Sequence, residues 1–146
     1  MNDMKHEMTK EELDTPCLVI DFDILERNLK QMANSVQTNL RPHIKTHKCP
    51  ILAKKQLETG AIGITCAKVG EAEVMAKAGI NDILIANQIV GKRKIARLLD
   101  LANENFVRVI VDNPTNVEEL ATAAEARKME LHVLVELDVG LHRCGV

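Results

Sequence analysis

Six short apolar runs recur along the chain, each separated from the next by a stretch of helical periodicity: CLVIDFD, LRPHIK, AIGITCA, DILIAN, VRVIVDN and LHVLVELD. The carboxyl ends of the last five fall near Lys45, Cys66, Ala86, Asp112 and Asp138, about 20 to 26 residues apart. That interval suits short right-handed crossovers between parallel strands. The runs are nearly continuous rather than alternating apolar and polar, as in parallel strands covered on their faces by helices. An α/β architecture follows.

The intervening stretches carry helix start and stop signals. Asp23, with Glu26 three residues on, reads as a capping box ahead of Leu25, Leu29, Met32 and Val36. A second helix is expected to begin at Cys49 and Pro50 and to end at Thr59 and Gly60. VGEAEVMAKAG reads as a third, closed by Gly79. GKRKIARLLDLANEN places Ile95, Leu98, Leu99 and Ala102 on one face. A last helix opens at Asn113 and Pro114, with Val117, Leu120, Ala121 and Ala124 inward.

Two architectures fit this order, a doubly wound sheet and a (β/α)8 TIM barrel. No GxGxxG turn follows the first strand, which removes the main mark of a dinucleotide-binding domain and favours the barrel. A full barrel needs about 250 residues. With 146 residues and a last run ending in LHRCGV, the expectation is a partial (β/α)8 barrel, truncated after its sixth strand. The polar residues 1–13 form an N-terminal tail, and residues 14–146 form the barrel portion.

Composition narrows the function classes. Apolar residues make up 46% and charged residues 27%, the balance of a packed, water-soluble core. A formal charge of −2 gives no general attraction to nucleic acid or to anionic membrane. With two Phe and neither Tyr nor Trp, stacking on bases has almost no platform. Cys17, Cys49, Cys66 and Cys144 lack zinc-knuckle spacing and read as free thiols, Cys17 and Cys66 as small core residues. The N-terminus has no secretory pattern and no run approaches membrane-spanning length, so a reducing cytoplasm is the expected location.

RPHIKTHK, residues 41–48, is the chemically dense stretch. As a helix it would pair His43 with His47 at zinc-clamp spacing, but Pro42 opposes a helix and no Glu lies between them to act as a base. As a strand it would align Arg41, His43, Lys45 and His47 on one face, pointing into a pocket at the strand ends. As a loop it is a solvated basic cluster.

TPCLVIDFDILERN, RPHIKTHKCP, TCAKVGEAEVMAKAGINDILIANQIV and VLVELDVGLHRCGV together resemble the N-terminal part of the fold-type III pyridoxal-phosphate enzymes, within the D-threonine aldolase and D-serine dehydratase family, whose barrel is alanine racemase-like. RPHIKTHK is the most specific piece. The resemblance implies that Lys45 binds the cofactor aldehyde covalently and that Arg143 faces the phenolic oxygen of its ring. It implies a homodimeric lyase acting on small D-3-hydroxy amino acids, by retro-aldol cleavage or by dehydration. A racemase of the same fold and a non-catalytic pyridoxal-phosphate carrier are the rivals. Lys45 is expected to be partly buried among Arg41, His43, His47 and Lys48, which would favour its neutral form. The structural alternative for Arg143 is pairing with Asp138 or Glu136.

His43 and Gln88 sit at strand ends without an assigned role, His132 reads as structural, and Asp112 as a helix cap. By the same resemblance, CLVID pairs with a C-terminal β domain rather than joining the barrel, which is then cut after about five barrel strands, LRPHIK the first and LHVLVELD the fifth. The phosphate anchor and the divalent-metal ligands lie beyond Val146, so no metal site is expected here. Residues 1–146 alone are expected to be inactive and to bury too little apolar surface for independent stability.

Overall fold

The computed structural model describes residues 8–146. Residues 1–7 of the expected polar tail lie outside the described residues; Lys10–Glu12 make one 3-10 turn. Nine regular elements follow: α1 (Phe22–Ser35), α2 (Pro50–Glu58), β1 (Ile64–Cys66), α3 (Val69–Lys77), β2 (Asp82–Ile85), α4 (Lys92–Glu104), β3 (Phe106–Val111), α5 (Pro114–Ala126) and β4 (His132–Val135). The four strands form one parallel sheet in the order β1-β2-β3-β4. Sequence neighbours are sheet neighbours throughout, as in a barrel wall and unlike a doubly wound sheet, where strand order reverses.

Register divides the sheet into two faces. Ile83 aligns with Val107, and Ile85 with Val109, on the helix-covered face. These four are almost wholly buried, together with Ile64, Met75, Leu98 and Leu99. On the other face Leu84 aligns with Arg108, and Arg108 with His132, and all keep partial access to solvent. Neither face of β4 is covered: Val133, Leu134 and Val135 are all exposed.

Two expected strands differ from the reading. LRPHIK supplies only a stub, because Pro42 has no N–H to donate and the chain turns into a 3-10 turn at Ile44–Thr46. The stub lies beside β1 through Ile62 N–H to Leu40 O (2.9 Å), Thr65 N–H to Pro42 O (2.7 Å) and the parallel bridge of His43 with Thr65. CLVID is not a strand here: residues 17–22 run exposed, with Leu18 fully accessible, and find no sheet partner among the described residues.

The helices stand where periodicity put them, with small corrections at their starts. Asp21, not Asp23, caps α1, accepting the Ile24 N–H at 2.9 Å, and Ala33 replaces Met32 in the half-buried stripe. Asn113 caps α5, its Oδ1 accepting from Thr115 N–H at 2.9 Å, so Asp112 is not the cap. On α5 Val117 and Ala121 face solvent, and Asn116 is buried in their place. Its Nδ2 donates to Ile89 O at 2.9 Å and ties the helix start to the loop after β2. No helix among the described residues is long and apolar enough to cross a membrane.

Cys66 belongs to the buried core, whereas Cys17 is exposed, against the expectation of two core thiols. Burial first, and then the nearby Glu71 carboxylate, push the Cys66 thiol up to about 12. At pH 8, iodoacetamide is therefore expected to alkylate Cys17 in the folded protein and to reach Cys66 only after denaturation. Mass mapping of the two peptides decides this, and early loss of Cys66 would contradict it.

Candidate active site

The carboxyl ends of the strands enclose a cleft of about 350 Å³, within the range of small-molecule sites. His43 and Lys45 reach it from the stub, Gln88 from the loop after β2, Glu136 from the end of β4, and Arg143 and Cys144 from the final turn. Lys45 and Arg143 are 98 positions apart in sequence and line the same cleft. Neither forms an ion pair among the described residues, so the expected alternative for Arg143, pairing with Asp138 or Glu136, is not the arrangement found. Lys45 is exposed rather than enclosed by basic neighbours.

Only one of those neighbours stays with Lys45. Arg41 lies at the opposite end of the sheet, where it grips the Asp82 carboxylate with two bonds of 2.9 and 3.0 Å. Arg108 takes the same carboxylate at 2.9 Å. His47 turns away, its Nδ1 accepting the Cys49 N–H at 3.0 Å, and Lys48 pairs with Glu71 at 3.4 Å. The 3-10 turn breaks the two-residue period that would have kept all four basic groups on one face.

His43 Nδ1 accepts the Lys45 backbone N–H at 3.3 Å, which leaves the proton of the neutral ring on Nε2. Burial, then the Lys45 ammonium, hold its pKa below the ordinary 6.5. A depressed imidazole contributes stability above its unfolded pKa, and that contribution is lost as pH falls through the lower folded value. In the full protein, the His43 ring is expected to titrate below 6.5 by NMR, with Lys45→Ala moving the midpoint upward. An unchanged midpoint in that variant would separate the two groups.

Beneath the cleft, Gln88 Nε2 donates to Asp112 at 2.8 Å and to Glu136 at 2.7 Å. Asp112 also accepts the Gly145 N–H at 2.9 Å. One oxygen each of Asp112 and Glu136, with Cys144 Sγ, lie within 4.8 Å of one another. Sequence reading missed this bed, since nothing in spacing shows that three strand ends share one amide.

The final turn is held by Asp138. Its Oδ1 accepts from Gly140 N–H (2.9 Å) and His142 N–H (3.0 Å), and the His142 Nδ1 lies 3.0 Å from Oδ2. The His142 and Gly140 N–H bonds keep the Asp138 carboxyl below its usual range. On the other rim, burial would raise Glu71. The Ala67 N–H bond, Lys48 and His43 outweigh burial and leave it low.

A parallel strand-helix sheet with a lysine, an imidazole and an arginine gathered at its carboxyl rim is part of a barrel wall, with these groups at the end where barrel sites form. Residues 20–146 match the alanine racemase N-terminal domain, and the chain belongs to that family. It is similar to the D-threonine aldolase of Arthrobacter sp, 46% identical over 137 residues, covering 92% of this chain and 36% of the relative. The 3-hydroxy-D-aspartate aldolase of Paracoccus denitrificans is 40% identical over 144 residues, covering 95% and 37%.

Among solved structures, the D-threonine aldolase from Filomicrobium marinum superposes with a TM-score of 0.87 at 46% identity, covering 91% of this chain and 37% of that one. The D-threo-3-hydroxyaspartate dehydratase from Delftia sp. HT23 gives 0.82 at 33%, covering 92% and 36%. The chain thus spans little more than a third of the length of the curated relatives it matches.

Proposed function

We propose that the protein carrying this chain is a pyridoxal-phosphate-dependent lyase acting on D-3-hydroxy amino acids, of the D-threonine aldolase kind. The observation that carries the reading is the meeting of Lys45 and Arg143 in one cleft, neither neutralised by a carboxylate. A free primary amine and a guanidinium are the donor set that an aldehyde with an anionic ring oxygen requires.

Lys45 would hold the cofactor through Nζ, and Arg143 would hold its ring oxygen. His43, with Nδ1 committed to the Lys45 backbone, offers only Nε2 toward the cleft. Once bound, the cofactor supplies an electron-withdrawing ring for charge developing at the substrate Cα. A divalent metal, proposed for the full protein with ligands outside this chain, would act at the β-hydroxyl.

Likeness to the two aldolases at 46% and 40% supports retro-aldol cleavage to glycine and an aldehyde. Likeness to a dehydratase structure at 33% supports loss of water as the second reading. The full protein, loaded with pyridoxal phosphate and a divalent metal, is to be incubated with D-threonine. Glycine and acetaldehyde are the expected products. 2-Oxobutanoate with ammonia would favour the dehydratase, L-allo-threonine a racemase, and no turnover of any D-3-hydroxy amino acid would defeat the lyase reading. The reading includes a homodimer, tested by light scattering, and a reducing cytoplasmic location in which the four free cysteines stay reduced.

A further inference from the structure

We propose that Asp138 is the positioning residue for Arg143: its carboxylate sets the turn that delivers the guanidinium to the cleft containing Lys45. The proposal rests on the reading of that cleft as a cofactor site. Among the described residues the Arg143 side chain has no ion-pair partner, so its backbone decides where it goes. The turn closes at a neck, where Asp138 N–H meets Val146 O and Val146 N–H meets Glu136 O, both at 3.0 Å. Between these points no N–H of residues 139–145 bonds to a backbone carbonyl.

Side-chain carboxylates replace the missing ladder. Asp138 takes the Gly140 and His142 N–H groups, and Asp112 takes that of Gly145. His142 has φ +54, a left-handed conformation that strains a residue with a Cβ and must be held by its surroundings. The same carboxylate bonds both the backbone and the ring of that residue. Arg143 comes next in the chain, so the dihedral that Asp138 holds is the one that aims it.

Asp138→Ala removes the acceptor, whereas Asp138→Asn keeps an oxygen for both N–H groups and serves as the conservative rescue. In the full chain without cofactor, the Gly140 and His142 amides are expected to exchange about tenfold faster in Asp138→Ala, and as in wild type in Asp138→Asn. With pyridoxal 5′-phosphate added, Asp138→Ala and Arg143→Ala should shift the pH midpoint of the cofactor's visible absorbance in the same direction. The double variant should shift it no further than Arg143→Ala alone.

Unchanged amide exchange in Asp138→Ala, a fully additive absorbance shift, or an Asp138→Asn as severe as Asp138→Ala would each overturn the assignment. Should Asp138→Ala fail to fold, Asp138→Asn still decides, because wild-type exchange and absorbance are required of it. A wild-type chain that takes up no cofactor would defeat the proposed function alone, and the exchange measurement would still report whether Asp138 holds the turn.

Discussion

Lys45→Ala in the full protein is expected to lose covalent capture of pyridoxal phosphate and at least about 10³-fold in turnover. Among the described residues Lys45 is the one primary amine lining the cleft, and a guanidinium such as that of Arg143 is no nucleophile toward an aldehyde. Borohydride reduction of the wild-type holoprotein, followed by peptide mapping, should leave the pyridoxyl group on the peptide that contains Lys45. Label on any other lysine, or a Lys45→Ala protein with an undiminished visible band, would remove Lys45 from its proposed role.

Gly63→Ala is the second large effect, and it acts on stability at the far end of the sheet. A Cβ there would run into the Arg41 guanidinium and stand 2.6 Å from the Asp82 carbonyl oxygen. Backbone cannot yield as a flexible side chain can, so the strand must shift or Arg41 must leave Asp82. Leaving would strip one of two cations from a carboxylate shared with Arg108. Overpacking together with the partial loss of this triad is expected to cost about 3 kcal/mol, read as a lower urea midpoint of the full protein. Borohydride labelling of Lys45 should survive in the folded fraction, because the amino-terminal end of such a sheet serves stability and the carboxyl end serves chemistry. A wild-type midpoint would show that Gly63 has room to spare.

Much of the fold was legible because local rules and the global arrangement agree. Pro50 and Pro114 open helices at positions where a missing N–H costs nothing, and Gly79, at φ +87, follows the end of α3. The failures have physical causes. CLVID satisfies every local criterion for a strand, yet a strand is a relation between two segments, and periodicity says nothing about a partner. Asp112 and Asn113 are both competent caps one residue apart. The choice fell to Asn113 because Asp112 is taken by Gln88 and Gly145, residues distant in sequence. Of the site, Lys45 and Arg143 came from motif likeness, and the structure brings them to one cleft. Arg41 was misplaced because a strand face has two ends, and a period of two does not tell them apart.

The amide of Gln88 bridges the tips of β3 and β4 from the loop that follows β2. One side chain thus ties both the Asp112 and the Glu136 carboxylates to the loop that carries it. Three neighbouring strand tips are therefore coupled through a single residue, and a change at any one of them reaches the other two through its amide.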